Sequence, residues 1–501
     1  MIIEGKDITS PVWENVDVCI IGSGAGGATV ANHLARNGLS VVVLEEGGHY
    51  PSKEFTGRVN DAFRTMYRNY GMDSTGGIPA IPVPTGKCLG GTTIVNMGTC
   101  FRAPDKILKA WQDVGLDDYG PEQMAPYYDL VEEEMSVQPV KPEVMGRGGE
   151  IIAEGAKKLG LHPKPIRRNV SDACKGCGNC AYGCVEDAKQ SMILNAIPKA
   201  IKAGAKFYCD TRALSILHDR EKALGVIGVV SDRLTGAPRH NVDVSAKIVV
   251  LAAGAFHTPA FLLKNKLCNG SGQVGKNLKL HLCARTIGIF DEIVNSHKGV
   301  CQNLYIDDYI EEGIMLEATF TGPASQLAGV LGAGEKLWET CKKYRNMASL
   351  GIMISEKSAG RVRADNNGNP LITFRLGKQD VETFKKAMII SDRVLFAAGA
   401  KKVINGNFVF SEVKNVAELD EIAKKKTKAA DWMLMVFHPQ GTCRMGISAE
   451  NSVVGPTGEC HDLKNLYIAD ASVFPTSLGV NPQETIWAIA IRVAEQIAKK
   501  I

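Results

Sequence analysis

The stretch that most constrains this chain runs from Val16 to Gly48. An apolar run, Val16–Ile21, reads as a buried strand and ends in Gly22-Ser-Gly-Ala-Gly-Gly27, the G-x-G-x-x-G spacing. A helical pattern follows over Ala28–Arg36, and Asn37-Gly38 stops it. Ser40–Leu44 gives a second apolar strand, with Glu45 placed 18 residues after Gly27. Each glycine has its own physical role. Gly22 permits the tight turn, Gly24 lets backbone approach a pyrophosphate, and Gly27 allows close helix–strand packing. The helix N-terminus turns free N–H groups and a positive dipole end toward the phosphates. Glu45 stands where an acid accepts hydrogen bonds from ribose hydroxyls. Strand, turn, helix and acid together predict a dinucleotide site. The motif alone leaves FAD and NAD open.

At 501 residues the chain exceeds a single compact core and predicts two or three domains. A loop-rich stretch, Gly47–Gly86, reads as a ligand wrap or a lid. It leads into Gly86-Lys-Cys-Leu-Gly-Gly-Thr-Thr-Ile-Val-Asn96, where close backbone approach to a flat polar group and a tight packing turn explain the glycines equally well. Pro121–Glu134 reads as an amphipathic helix, Gln190–Ala203 as helical, and Ala213–His218 and Ala223–Ser231 as strands. The strand Lys247–Gly254 ends in small residues, as sheet strands that meet a cofactor do. Residues 285–430 read as a separate sheet-plus-helices domain, with a strand over Pro370–Leu376 and a helix over Asp380–Ala397. The chain then returns to the first domain through a buried strand in Lys464–Ala471 and a last helix, Pro482–Lys499. That helix carries a capping-box pattern, with Asn481 as N-cap, Pro482 at N1 and Glu484 at N3.

Charge narrows the classes of partner. The formal net charge is +4, and the run Lys424–Lys428 reads as a solvated helix face, so no nucleic-acid footprint is present. No segment has the roughly 18 uninterrupted apolar residues of a membrane span, and the N-terminal residues lack a signal-peptide pattern. The expectation is a cytoplasmic protein without a membrane span.

Fourteen cysteines are many for such a chain. Ten are scattered singly and read as small buried hydrophobes. The other four form Cys174-Lys-Gly-Cys177-Gly-Asn-Cys180-Ala-Tyr-Gly-Cys184, the C-x2-C-x2-C-x3-C spacing of bacterial ferredoxins. Glycines between them let the backbone fold tightly and aim amides at the sulfurs. Zinc ribbons separate their cysteine pairs by roughly 15–20 residues, and disulfides are disfavoured in a reducing compartment. An iron–sulfur cluster, [4Fe–4S] or [3Fe–4S], is the leading expectation, with zinc and plain thiols as rivals. Because the fourth cysteine of such a run serves another cluster in two-cluster ferredoxins, the fourth ligand is either Cys184 or a distant cysteine.

Several stretches together resemble the glucose–methanol–choline (GMC) family of FAD oxidoreductases. They are Gly22–Glu45, Lys87–Asn96, Leu251–Pro259, His438-Pro-Gln-Gly-Thr-Cys-Arg-Met-Gly446, Ala469-Asp470-Ala-Ser and Asn481-Pro-Gln-Glu-Thr485. Order and spacing agree over nearly the whole chain. The resemblance implies an α/β fold: a Rossmann-like FAD-binding domain (p-hydroxybenzoate-hydroxylase-like), a sheet-and-helix substrate domain and an iron–sulfur loop insertion. It divides the chain into FAD-binding parts 1–104, 191–284 and 431–501, a helical cap 105–170, the cluster loop 171–190 and the substrate domain 285–430. It assigns to FAD the residues Gly22, Ser23, Gly24, Gly27, Glu45, Gly90, Gly91, Thr92, Asn96, Ala213, Asp470, Ala471, Asn481 and Pro482. Where histidyl-linked relatives carry histidine before the asparagine, this chain has Val95, so non-covalent FAD is expected. Cys100 and Lys264-Asn265 depart from the family signatures.

By the same resemblance His438 is the base for a substrate hydroxyl and Asn481 a hydrogen-bond partner of the same oxygen. Asn481 also fits a plain N-cap, while His257, His281 and His461 read as structural or peripheral. A cysteine-rich insertion before Lys189-Gln-Ser resembles the long-chain alcohol oxidase branch and points to an apolar alcohol. Reduced FAD holds two electrons, and a cluster passes them singly, which argues for a dehydrogenase with an electron-acceptor protein such as a ferredoxin, cytochrome or partner subunit. The alternatives are an O2-using oxidase with a structural cluster, a lyase that keeps FAD structurally, and a non-catalytic electron-transfer subunit.

Overall fold

The strands Val12–Ile21, apolar in its second half, and Val41–Leu44 pair in parallel, with the helix Ala25–Arg36 crossing between them, in a computed structural model that describes residues 1–501. On one side the parallel array continues through Lys206–Tyr208 to Ile2–Ile3. On the other, Val12–Ile21 pairs with the long strand Pro238–Leu251. That strand has two partners along its far edge. Its first half runs antiparallel to Ala223–Ser231, and its last residues, Val249–Leu251, run parallel to Leu466–Ile468. Strand Thr211–His218 completes the eight-stranded sheet. Strands of this kind read as continuous apolar runs because helices cover both faces, and Val18–Ile20 and Val41–Leu44 are almost wholly buried.

A second, seven-stranded sheet is antiparallel throughout, in the order Glu412–Val413, Lys402–Asn405, Cys283–Ile289, Met347–Ile354, Ile314–Thr319, Gln302–Ile306 and Lys164–Pro165. Alternation divides its residues between two faces. Ala284, Leu316, Ala318 and Leu350 join the core under the helices Arg147–Lys158 and Lys378–Ala397. Cys283, Arg285, Glu317, Thr319, Gly351 and Met353 line a cavity shared with the first sheet.

Element boundaries differ from the sequence reading at informative places. The helix expected over Gln190–Ala203 is confined to Ala196–Lys202, because the preceding residues form turns against the cysteine loop. The last helix is Gln483–Lys500, and its N-cap position is Pro482, with no side-chain cap. The capping box with Asn481 as N-cap is therefore absent: Asn481 turns its side chain elsewhere, and Glu484 Oε1 is buried without a partner. No helix is long and apolar enough to cross a membrane.

Candidate active site

The glycine turn is built by close approach. A Cβ on Gly26 would overlap the carbonyl oxygen of Ala469, and one on Gly27 that of Gly22, whose own φ is +96°. At Gly24 an added Cβ meets nothing within 4 Å, so this face of the turn opens onto the cavity. Ser23 ties the turn together: its Oγ donates to Glu45 Oε2 (2.6 Å) and accepts from the N–H of Gly90 (2.9 Å). Glu45 also accepts from the N–H of Ser23 (2.9 Å) and of Gly47 (2.7 Å). Burial raises its carboxyl above the usual range, and these three bonds pull it back. Glu45 thus organises the turn first, with acceptor capacity left on Oε1 for a ribose.

The cavity has a volume of about 580 Å³ and runs from this turn to His438 and Asn481. Among the residues assigned to the cofactor, Gly22, Ser23, Gly24, Glu45, Gly91, Thr92, Asn96, Ala213, Asp470, Ala471, Asn481 and Pro482 line it. Gly27 and Gly90 stand behind the wall and support it. Asp470 Oδ2 accepts from the N–H of Gly254 (2.8 Å) and from Thr258 Oγ1 (2.5 Å), and Oδ1 accepts from the N–H of Ser472 (2.8 Å). It thereby fixes the strand end and the helix start that face the cavity.

Asn481 Nδ2 donates to His438 Nε2 at 3.2 Å, leaving His438 Nδ1 and Asn481 Oδ1 buried without partners. Such orphaned atoms in a cavity wall are what a ligand-completed site presents. Burial pushes the His438 imidazole down to about 4, so it is neutral at pH 7. His281 lies edge-on to it, with ring centroids 5.5 Å apart. Its Nε2 meets Ser477 Oγ, Gln440 Nε2 and the N–H of Gly479, each at 2.9 Å. His281 is thus structural but central, since it holds the turn that leads into Asn481. His461 bonds only Ser452 Oγ at 2.9 Å, away from the cavity.

Some lining residues carried no recognisable motif. Glu46 pairs with Arg68 (2.8 Å) and Lys87 (3.5 Å) beside the glycine turn. Burial alone would raise the Glu46 carboxyl, but Arg68 holds it well below the usual range. His257 also lines the cavity, and burial lowers it to about 3. On the second sheet, Glu317 Oε2 accepts from Gln302 Nε2 (2.9 Å), while Oε1 is buried without a partner. Gln302 Oε1 accepts from Thr99 Oγ1 (2.6 Å), and the Thr99 carbonyl from Gln483 Nε2 (2.7 Å). The Gln483 carbonyl oxygen accepts in turn from Asn96 Nδ2 (2.6 Å), which closes a polar chain from the glycine-rich loop to Glu317. Glu317 and Gln302 reach this chain only through the pairing of distant strands, so spacing along the chain gives no signal of them.

The four clustered cysteines line one small second cavity. Cys177 is exposed, Cys174 half-buried, and Cys180 and Cys184 buried. Arg168 reaches Cys180 Sγ at 3.0 Å, and the Lys189 N–H reaches Cys184 Sγ at 3.4 Å. A hydrogen bond from Cys301, then Arg168 and Lys189, hold Cys180 well below the ordinary thiol range against the effect of burial. No three His, Cys, Asp or Glu side chains in the chain converge as ligands of a single metal ion. The expected cluster therefore has a cysteine-lined cavity, but no formed set of ligands.

A parallel-cored sheet with a glycine turn at its strand end, closed by a returning C-terminal strand and helix, defines a dinucleotide-binding oxidoreductase. Residues 17–283 and 356–490 match the two family models of GMC oxidoreductases, and the chain belongs to that family. It is 36% identical over 495 residues to an uncharacterized GMC-type oxidoreductase of Mycobacterium tuberculosis, covering 98% of this chain and 77% of that one. It is 26% identical to a long-chain-alcohol oxidase of Arabidopsis thaliana, covering 97% of this chain and 68% of the relative. In fold it is similar to pyridoxine 4-oxidase from Mesorbium loti (TM-score 0.72, 19% identity, 96% and 98% coverage). It is also similar to a formate oxidase variant of Aspergillus oryzae (TM-score 0.76, 16% identity, 98% and 99% coverage). The family supports FAD as the cofactor, and the face of the turn at Gly24 is open to a dinucleotide.

Proposed function

We propose that the protein oxidises an alcohol carbon to a carbonyl. His438 takes the hydroxyl proton and Asn481 holds the same oxygen, which readies the carbinol carbon to lose a hydride. The observation that carries this reading is the buried His438–Asn481 pair, with its unpartnered atoms, on the same cavity as the glycine turn. Bound FAD supplies the hydride acceptor. A neutral imidazole is the form that accepts a proton, and burial favours that form. The alcohol oxidases among the relatives support the substrate class.

The cavity wall supports an alcohol with further polar groups over the plain apolar alcohol that the cysteine-rich branch suggests, because Glu317, Gln302 and Arg285 face the cavity. Val95 in place of histidine supports non-covalent FAD. For the electrons, Cys174, Cys177, Cys180 and Cys184 would hold an iron–sulfur centre that supplies a one-electron path to an acceptor protein. The shared cavity and the adjacent cations support this. The lack of tight ligand convergence counts against it, though less for a cluster, whose own irons fill the middle, than for one ion. The names of the relatives favour a second reading, an oxidase that passes electrons to O2.

The test is an anaerobic spectrum with iron and zinc quantified, followed by alcohol-driven bleaching of the flavin. His438→Ala is expected to lower the bleaching rate by about 10²–10⁴-fold with FAD retained; an unchanged rate removes His438 from the chemistry. Peroxide formed in step with substrate in air would establish the oxidase reading.

A further inference from the structure

Arg285 projects from the strand Cys283–Ile289 into the main cavity and has no carboxylate partner. Its guanidinium donates to Gln326 Oε1 (2.9 Å), which anchors one edge and leaves the other free. The only acidic groups that act on it are the Tyr182 phenol and the Cys283 thiol, and burial keeps both neutral. Arg285 and Glu317 are both opposite Gly351, one on each side of it. Glu317 Oε1 is buried without a partner. Burial favours its protonated form, which can donate. A Cβ at Gly351 would meet its nearest neighbours, the Glu317 carbonyl and Thr319 Oγ1, at 3.4 Å, an ordinary contact. Packing therefore does not demand glycine here. Its effect is a notch floored by backbone, with an unpaired cation on one side and an unsatisfied carboxyl on the other.

An arginine with a free edge recognises a carboxylate through two parallel N–H···O bonds. The position of the notch fixes how far such a group stands from the reactive pair. Cys283 and Met353 lie opposite each other in the next row of the sheet, and Met435 pairs with Cys283. Because that pairing is antiparallel, the chain from Met435 to His438 runs away from Arg285. Two residues of strand span about 7 Å, so an acid group in the notch is further than this from a carbon at His438. Cys283, Met353 and Met435 make the surface between them apolar. A short hydroxy acid does not reach both ends, whereas one with several methylenes does.

We propose that the notch at Gly351 is the acid-binding end of the substrate site, where Arg285 pairs with the carboxylate of a medium-chain hydroxy acid whose hydroxyl lies at His438 and Asn481. This rests on the alcohol-oxidising reading of the cavity. It gives one substrate both to the apolar surface, suited to an alkyl chain, and to the polar side chains at its end. Arg285 is then the residue that sets a preference for acid over neutral alcohols.

Octanoate and octanamide have one length, differ in charge and carry no hydroxyl, so their binding to the flavin-loaded protein is independent of turnover. Isothermal titration is expected to show octanoate bound roughly tenfold or more tighter than octanamide. Arg285→Gln keeps a donor for Gln326 without the charge, and the preference should vanish; Arg285→Lys should keep part of it. Gly351→Ala puts a methyl group on the floor of the notch and should weaken octanoate alone. Equal affinities in wild type, or a preference that survives in Arg285→Gln, overturn the inference. Where Arg285→Gln does not fold, an undiminished octanoate affinity in Gly351→Ala overturns it. Bleaching of the flavin by 8-hydroxyoctanoate is read separately. Octanoate held by Arg285 without such bleaching overturns the alcohol-oxidising reading and leaves the acid notch standing, whereas bleaching with no acid preference does the reverse.

Discussion

The two walls of the main cavity are made in opposite ways. The nucleotide wall is backbone: a glycine turn, a helix N-terminus and strand ends, with Ser23, Glu45 and Asp470 spent on holding that backbone in place. The facing wall is side chain, contributed by alternate residues of an antiparallel sheet, with Glu317, Gln302, Arg285 and Thr319 projecting from it. A backbone wall has one workable geometry and tolerates no added atoms where it packs against itself, as at Gly26 and Gly27. A side-chain wall keeps its strands whatever residues point inward, so it is where substrate preference can change without loss of fold.

The comparison is sharpened most by two neighbouring glycines. Gly26→Ala drives a methyl into the Ala469 carbonyl and is expected to cost more than about 4 kcal/mol, seen as loss of soluble, flavin-loaded protein. Gly24→Ala meets only open space, so it should leave the melting temperature nearly unchanged and weaken FAD retention. Equal melting losses in both variants would erase the distinction between packing and ligand-facing glycines.

The side-chain wall gives a smaller, pH-dependent effect. Burial pushes Glu317 up to about 7, whereas an unfolded glutamate titrates near 4.3. Between those values the native state binds more protons at this site than the unfolded state, so the contribution of Glu317 to stability falls as pH rises from about 4.5 to 7 and is level above. Glu317→Gln should remove about 1–3 kcal/mol of that fall, read by unfolding at pH 5 and pH 8. If the variant loses as much stability as wild type over this interval, the acid is not buried as described. The smallest effect concerns attachment: acid precipitation is expected to leave all flavin in the supernatant, and flavin in the pellet would mean that a residue other than a histidine at position 95 is linked to it.

The same contrast explains what could be read from the chain. Val16–Leu44 was legible because each part of the unit is local: apolar runs, glycine spacing and an acid at fixed distance. Helix Pro121–Glu134 was legible by its periodicity, even with Pro126 inside it. Asn481 was ambiguous because asparagine before proline suits both a helix cap and a site. The fold puts Pro482 at the cap and brings His438 within reach of Asn481, which no spacing along the chain shows. Glu317 and Gln302 could not be read, since which face of a strand is inward is set by partners far away in sequence. Arg168 and Lys189 carry no local mark of their burial, which only the folded chain around them imposes.

The long strand Pro238–Leu251 waits for its last neighbour, Leu466–Ile468, until the whole second sheet has been made. During synthesis the nucleotide turn and its first strands emerge early, whereas the segment carrying His438, Asp470 and Asn481 follows only after that second sheet. A nascent chain could therefore assemble most of the nucleotide wall before the His438–Asn481 pair is present, and closure of the cavity becomes a late, long-range step of the kind that slows folding. Under the proposed function, turnover waits on the docking of that late segment, a timing written into strand order rather than into any regulatory element.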